Sequence, residues 1–252
     1  MKKLILIGLI ANLLITNTVL AGDVDARVGW SQHIDMSTNV SGVVHEVLVN
    51  PGDQVDKGDV LLRLEPARFM AALASSEADK KNAQYKLNEA EREWDRAQEL
   101  YERTVLSDRD LQLAENALVA AQAAFAHASA QQVNARRDVI ESTIRAPFAA
   151  VILQRHVHPG QTVVTRLQTV PLITIAARNN YHASGSVAAS VANKLAIGQA
   201  VAVTVQGKRF NGILASVGYE PSKNTETYPV TVRFTTGGSL LRVGQAATIH
   251  LP

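Results

Sequence analysis

Hydrophobic and polar positions follow three successive rhythms along the chain. From Val24 to Glu65, short runs rich in β-branched residues alternate with turn residues. Ser41 to Val49 reads as a strand, Asn50-Pro51-Gly52-Asp53 and Lys57-Gly58-Asp59 as turns, and Val60 to Leu64 as another strand. From Ala67 to Ser142 the period lengthens to that of a helix, and neither Pro nor Gly interrupts it. After Ile144 the strand rhythm returns and continues to Pro252.

The helical stretch divides into two arms. In the first, apolar or small residues fall at Phe69, Leu73, Ser76, Lys80, Ala83, Leu87, Ala90, Trp94, Ala97 and Tyr101, with Ser76 and Lys80 as polar interruptions. In the second they fall at Leu111, Ala114, Leu118, Ala121, Phe125, Ala128, Gln132, Ala135 and Val139, with Gln132 interrupting. Steps alternating between three and four residues specify a left-handed coiled coil. The break lies near Thr104-Val105-Leu106, where Ser107 is placed to cap the second arm and Asp110 completes a pattern like a capping box. So short a break folds the arms back on each other as an antiparallel hairpin. Ser76, Lys80 and Gln132 stand near the base of the hairpin at similar heights from the tip, and a polar layer there is expected to fix register.

The β-segments flanking the hairpin match each other. Gly42 precedes Pro51-Gly52 by the same nine positions that separate Ala150 from Pro159-Gly160, and Val49 and Val55 correspond to Val157 and Val163. Two such halves, each with one apolar face, are expected to pair around a shared core. The last region has strand patterns around Ala200 to Val205, Phe210 to Gly218, Tyr228 to Phe234 and Ala246 to Leu251. Turns fall at Gly207, Pro221 to Asn224 and Gly237-Gly238, and Ala188 to Leu195 suits one short helix. This reads as a small β-barrel closed by a helix.

The resulting fold class is α+β: mainly β, with a long α-helical coiled-coil hairpin, a split β-domain of two matching halves (for which lipoyl-like is the resemblance given below) and a small β-barrel. The expected divisions are a signal peptide at 1–21, N-terminal strands of the barrel at 22–37, a first half of the split domain at 38–66, the hairpin at 67–142, a second half at 143–175 and the barrel at 176–252.

Composition sharpens this picture. Lys2 and Lys3, the apolar run Leu4 to Ile15 and Val19-Leu20-Ala21 have the form of a secretory signal cleaved after Ala21, the alternative being a retained anchor. The chain has no cysteine, which excludes disulfides, thiolate metal sites and a lipidated cysteine. For an exported chain, this points to the periplasm. Removing Lys2 and Lys3 from the 25 Lys and Arg leaves 23 against 23 Asp and Glu. Such a neutral chain lacks the basic surplus that nucleic acid requires. No phosphate loop, nucleophile elbow or helical His-Glu zinc motif is present, so no enzyme and no cofactor is expected.

The paired halves resemble the biotinyl/lipoyl carrier domain, but Arg68 falls where the carrier's modified lysine would lie. A guanidinium stays protonated and is a poor acyl acceptor. With the hairpin included, the chain resembles the HlyD-type membrane fusion proteins, or periplasmic adaptors. The resemblance rests on Val40-Ser41-Gly42-Val43-Val44, Pro51 to Leu61, Ile144-Arg145-Ala146-Pro147-Phe148, Pro159 to Val163, Ile197 to Val201 and Leu241 to Ala246, taken in order. Ala149-Ala150 departs from the family's usual Asp-Gly.

The resemblance implies a non-catalytic bridge between an inner-membrane transporter (RND class in preference to ABC) and a TolC-type outer-membrane channel. It also implies self-association into a trimeric or hexameric ring. It further implies channel contact through Arg96, Leu100 and Ser107, which reproduce the spacing of the family's tip motif. Arg can bond carbonyls or carboxylates, Leu can fill a groove, and Ser can bond across the tip. The membrane-proximal domain of many members has no evident counterpart. An alternative is a metal-binding or metal-efflux adaptor, with His156 and His158 sharing a strand face and His33, His45 or His182 assisting.

Overall fold

The computed structural model describes residues 22–165, 170–222 and 225–252. The signal segment at 1–21 and the end of the Pro221 to Asn224 turn lie outside the described residues. In chain order the first elements are β1 (Asp23–Trp30), β2 (His33–Met36), β3 (Gly42–Val47), β4 (Gln54–Val55), β5 (Val60–Leu64), α1 (Ala67–Glu102) and α2 (Asp108–Glu141). They are followed by β6 (Thr143–Arg145), β7 (Ala150–Arg155), β8 (Thr162–Val163), β9 (Ile173–Ala177), β10 (Asn180–Ala188) and α3 (Ala189–Ala192). The chain closes with β11 (Ala200–Val205), β12 (Lys208–Val217), β13 (Thr227–Thr235) and β14 (Ala246–His250). Of the described residues, those within 22–31 and 179–252 form one unit, and those within 32–178 form the other.

The first unit is a closed antiparallel barrel in the order β1-β10-β13-β12-β11-β14. Period-two patterning builds it: Val201, Val203 and Val205 of β11 point inward and are buried, while Ala200, Ala202 and Thr204 alternate with them. Tyr181 is fully buried, stacked on Trp30 at 5.1 Å and on Phe234 at 6.0 Å between ring centroids. Its phenol oxygen accepts a hydrogen bond from the Leu241 amide at 2.9 Å, and burial pushes the phenol's pKa above its usual value. The short α3 packs against β10 and β13.

The second unit contains two four-stranded sheets, β2-β9-β7-β4 and β6-β5-β3-β8. They share one core that includes Val44, Leu62, Leu64, Ile152, Leu172 and Ile175. The sequence repeat is visible in the ladders. β3 takes β5 on one side and β8, from the other half, on the other; β7 takes β9 and, reciprocally, β4. Each half thus lends its shortest strand to the other half's sheet. The expected assignment of 22–37 to the barrel needs correction. β1 is a barrel strand, but β2 pairs with β9 through Ile34↔Ile175 and Met36↔Ile173, because Ile34 and Met36 pack against the split-domain core.

α1 and α2 form the hairpin, 36 and 34 residues long, which is about 50 Å per arm at 1.5 Å per residue. All the seam positions expected from the heptads are buried or half-buried except Tyr101, which is 40% exposed. Lys80 Nζ donates to Gln132 Oε1 at 2.9 Å within the seam, so the polar layer is a direct contact. Ser76 stays out of it. Its hydroxyl donates to Leu73 O at 2.8 Å, one turn back in its own helix.

Candidate functional site

The hairpin tip is built by two helix ends. α1 closes with the bonds of a Schellman motif: Thr104 N–H donates to Tyr101 O at 2.8 Å and Val105 N–H to Leu100 O at 2.9 Å. This closure needs a left-handed residue, usually Gly, yet the chain places Thr104 there at φ 57°. A β-branched side chain in that region is strained by roughly 1–2 kcal/mol. Val105 follows at the apex, 71% exposed.

α2 opens on Ser107, whose φ of −79° and ψ of 155° are those of an N-cap. Its Oγ accepts from the Asp110 amide at 3.2 Å and donates to Asp110 Oδ2 at 2.7 Å. Asp108 and Asp110 place negative charge in the first turn, where the helix dipole favours it. The two ends are also coupled by Tyr101. The Asp108 carboxylate, through hydrogen bonding and then its charge, pushes the Tyr101 phenol above its usual pKa.

Arg96 and Leu100 lie one turn apart on α1. Arg96 is exposed and its guanidinium pairs with Glu93 at 3.0 Å; Leu100 is half-buried. An exposed pair at this spacing is worth only a few tenths of a kcal/mol, so Arg96 is released to a partner at little cost. Ser107 is fully engaged by Asp110 within its own first turn, so the expected bond across the tip is not formed here. Sequence reasoning missed Thr104 and the Tyr101–Asp108 link. The first leaves no signal because no Gly or Asn marks the helix end.

Arg68, at the position of the carrier lysine, is a structural tie. Its guanidinium donates to Ser41 O and lies 4.9 Å from the centre of the buried Phe69 ring. The histidines singled out from sequence are dispersed. His156 Nε2 bonds Thr174 Oγ1 at 2.9 Å, and Thr174 in turn donates to Asp35. The turn residue His158 bonds Gln161 through its backbone amide. His45 pairs with Glu65, His33 stands exposed on β2, and His182 belongs to the barrel unit. Among the described residues, no group of three or more His, Asp or Glu side chains is placed to hold a metal ion.

Comparison with known proteins gives this architecture a family. Residues 32–176, more than half of the chain, match the family described as CzcB-like, barrel-sandwich hybrid domain. The nodulation protein NolF of Rhizobium meliloti (strain 1021) is 29% identical over 214 residues, covering 83% of this chain and 57% of its own length. The cation efflux system protein CzcB of Alcaligenes sp. (strain CT14) is 27% identical over 220 residues, covering 84% and 41%. The chain therefore spans about half the length of these curated relatives.

Among solved structures, the fold matches the membrane fusion protein Spr0693 of Streptococcus pneumoniae R6 with a TM-score of 0.71 at 20% identity, covering 92% of this chain and 99% of that one. It also matches a MacA-MexA chimeric protein carrying the Pseudomonas aeruginosa MexA α-hairpin domain, with a TM-score of 0.64 at 22% identity, covering 92% and 83%. The split two-sheet core, the hairpin that interrupts it and the profile match agree. The chain belongs to the CzcB-like barrel-sandwich hybrid domain family.

Proposed function

We propose that the chain is a periplasmic adaptor that links an inner-membrane transporter to a TolC-type outer-membrane channel for efflux of small molecules. The observation that carries this reading is a two-helix hairpin of about 50 Å ending in a built tip that presents Arg96, Leu100 and the Ser107 cap. Arg96 bonds carbonyls or carboxylates at the channel's helical mouth, Leu100 fills a groove there, and Ser107 holds α2's first turn in place. Transport energy comes from the transporter, for which the RND class is preferred over ABC. Residues 1–21 serve as a signal peptide cleaved after Ala21, which delivers the chain to the periplasm.

Arg96→Asp and Leu100→Asp test the docking role. Each should abolish efflux in cells while abundance and helicity stay at wild-type levels. Wild-type resistance in both variants defeats the assignment.

The kinship with CzcB supports a second reading, an adaptor of a metal-exporting pump in which the cation is the transporter's cargo. Resistance to Zn and Cu salts, compared with resistance to organic drugs in a deletion strain, separates the two.

A further inference from the structure

In the barrel, β1 and β10 part at one end of their ladder. They pair from Trp30↔Tyr181 to Ala26↔Gly185, yet β1 begins at Asp23 and β10 runs on to Ala188. Asp23, Val24 and Asp25 are paired only with β14, and Ser186, Val187 and Ala188 only with β13. The two edges diverge around an open cleft of about 920 Å³. Gly185 stands at the fork. A Cβ there would come within 2.7 Å of Asp25 O and 2.9 Å of Val24 Cγ1, so the strands meet at this point only because the residue has no side chain.

The floor of the cleft is apolar. Val24, Val187 and Leu251 supply it, and Val191 of α3, 38% exposed, stands at its side. The rim is made of acceptors and negative charge. Asp23 and Asp25 are exposed along the β1 edge, with the exposed hydroxyls of Ser184 and Ser186 on β10. The backbone adds to this. Even-numbered residues of β1 bond β14: Val28 N–H donates to Gln245 O at 3.0 Å, and Leu251 N–H donates to Gly22 O at 3.2 Å. The peptide groups of Asp23 therefore turn toward the cleft.

The charges on the rim are not equally available. Asp23 Oδ1 is held by His250 Nδ1 at 2.6 Å. Arg27 spends Nη1 on Gly244 O at 3.1 Å. Asp25 has no hydrogen-bond or ion-pair partner among the described residues. A carboxylate beside an apolar floor, with acceptors on both edges, selects a ligand with an apolar body and a positive head. Seating the body excludes water from beside Asp25, which strengthens an attraction that open solvent would screen. An anion would meet two carboxylates. A metal ion would need more ligands than this rim supplies, since no group of three or more His, Asp or Glu is placed for one among the described residues. An added strand would find an edge of only three residues on each side, short of the five or six of an ordinary strand.

We propose that the cleft between β1 and β10 is a binding site for organic cations, with Asp25 holding the charge and Val24, Val187 and Leu251 the apolar body. The site lies wholly within the barrel unit and goes beyond the adaptor reading. Tetraphenylphosphonium and tetraphenylborate, nearly alike in shape and opposite in charge, are the probes. Titrated calorimetrically into the full chain, the phosphonium should bind saturably and the borate should not. Asp25→Asn should weaken phosphonium binding by about five-fold or more, the loss of one charge contact. Ser186→Trp, which fills the cleft from an exposed position, should abolish it. Glu77→Gln, which removes an exposed carboxylate from the hairpin instead, should leave it unchanged. Circular dichroism on each variant checks that the barrel is folded.

Absence of saturable phosphonium binding by the wild-type chain overturns the proposal. So does equal binding of the borate, and so does wild-type affinity in both Asp25→Asn and Ser186→Trp. Any of these results alongside loss of efflux in Arg96→Asp leaves the adaptor reading standing and removes only this site. Arg96→Asp itself should bind the phosphonium as the wild type does, because the tip and the cleft belong to different units.

Discussion

The amide of Gly52 donates to the carbonyl of Ile152 at 2.8 Å, tying the Pro-Gly turn of the first half-domain to the leading strand of the second. The mirror bond runs from Gly160 N–H to Val44 O, also at 2.8 Å. The return bonds, Ile152 N–H to Asp53 O and Val44 N–H to Gln161 O, complete a reciprocal exchange. Both glycines are left-handed, at φ 97° and 84°. Gly52→Ala and Gly160→Ala should therefore each destabilise the split domain by about 1 kcal/mol or more through backbone strain. Equivalent turns predict costs within about 0.5 kcal/mol of each other, measured by urea unfolding.

Lys80 and Gln132 meet inside a seam whose other members, Ser76 apart, are apolar or small. Replacing both by Leu removes two polar groups from a half-buried layer and should raise the melting temperature, since well-packed apolar groups replace a polar pair at no net cost. The same change should permit slipped or oligomeric species, because the layer that fixes register is gone. Circular dichroism melts with sedimentation velocity check both outcomes, and a uniquely folded variant with unchanged assembly counts against the register role.

Thr104 occupies the left-handed position of the tip turn at φ 57°. Thr104→Gly keeps the backbone conformation and removes the β-branched clash, so it should stabilise the tip by about 1 kcal/mol. Slower hydrogen exchange at the amides of Thr104 and Val105, which donate the two closing bonds, is the direct readout.

Tyr181 receives the Leu241 amide in the barrel core. Tyr181→Phe leaves that buried N–H unpartnered and should cost about 1–3 kcal/mol with the rings still stacked. The phenol's pKa is raised in the folded barrel, so the folded state keeps its proton to higher pH than the unfolded chain does. This contribution is fully present below about pH 10 and is lost as pH rises beyond it. Tyr181→Phe should flatten that alkaline loss in pH-dependent melts.

The hairpin was readable residue by residue because a coiled coil repeats one physical demand, an apolar side chain every three or four positions. The expected seam from Phe69 to Val139 is the seam found, with Tyr101 the exposed exception near the tip. The Pro-Gly repeat was readable because a left-handed turn residue leaves few alternatives to Gly. β4 and β8 were not readable as strands, since two residues carry no periodicity. Nor was the placement of β2, whose Ile34 and Met36 suit the inner face of either unit.

At the tip, the Ser107 cap and its Asp110 partner followed from spacing alone. The Thr104 conformation did not, because it is imposed by two closing hydrogen bonds against that residue's own preference.

The sequence by itself determined the order of elements, the two arms and the internal duplication, because periodicity and turn chemistry are local. The tertiary structure decided which half lends β4 and β8 to which sheet, which unit owns β2, and that Arg68 braces Ser41 and Phe69. Those choices depend on which apolar faces meet and on where unpaired backbone groups find partners, and both are properties of the assembled chain.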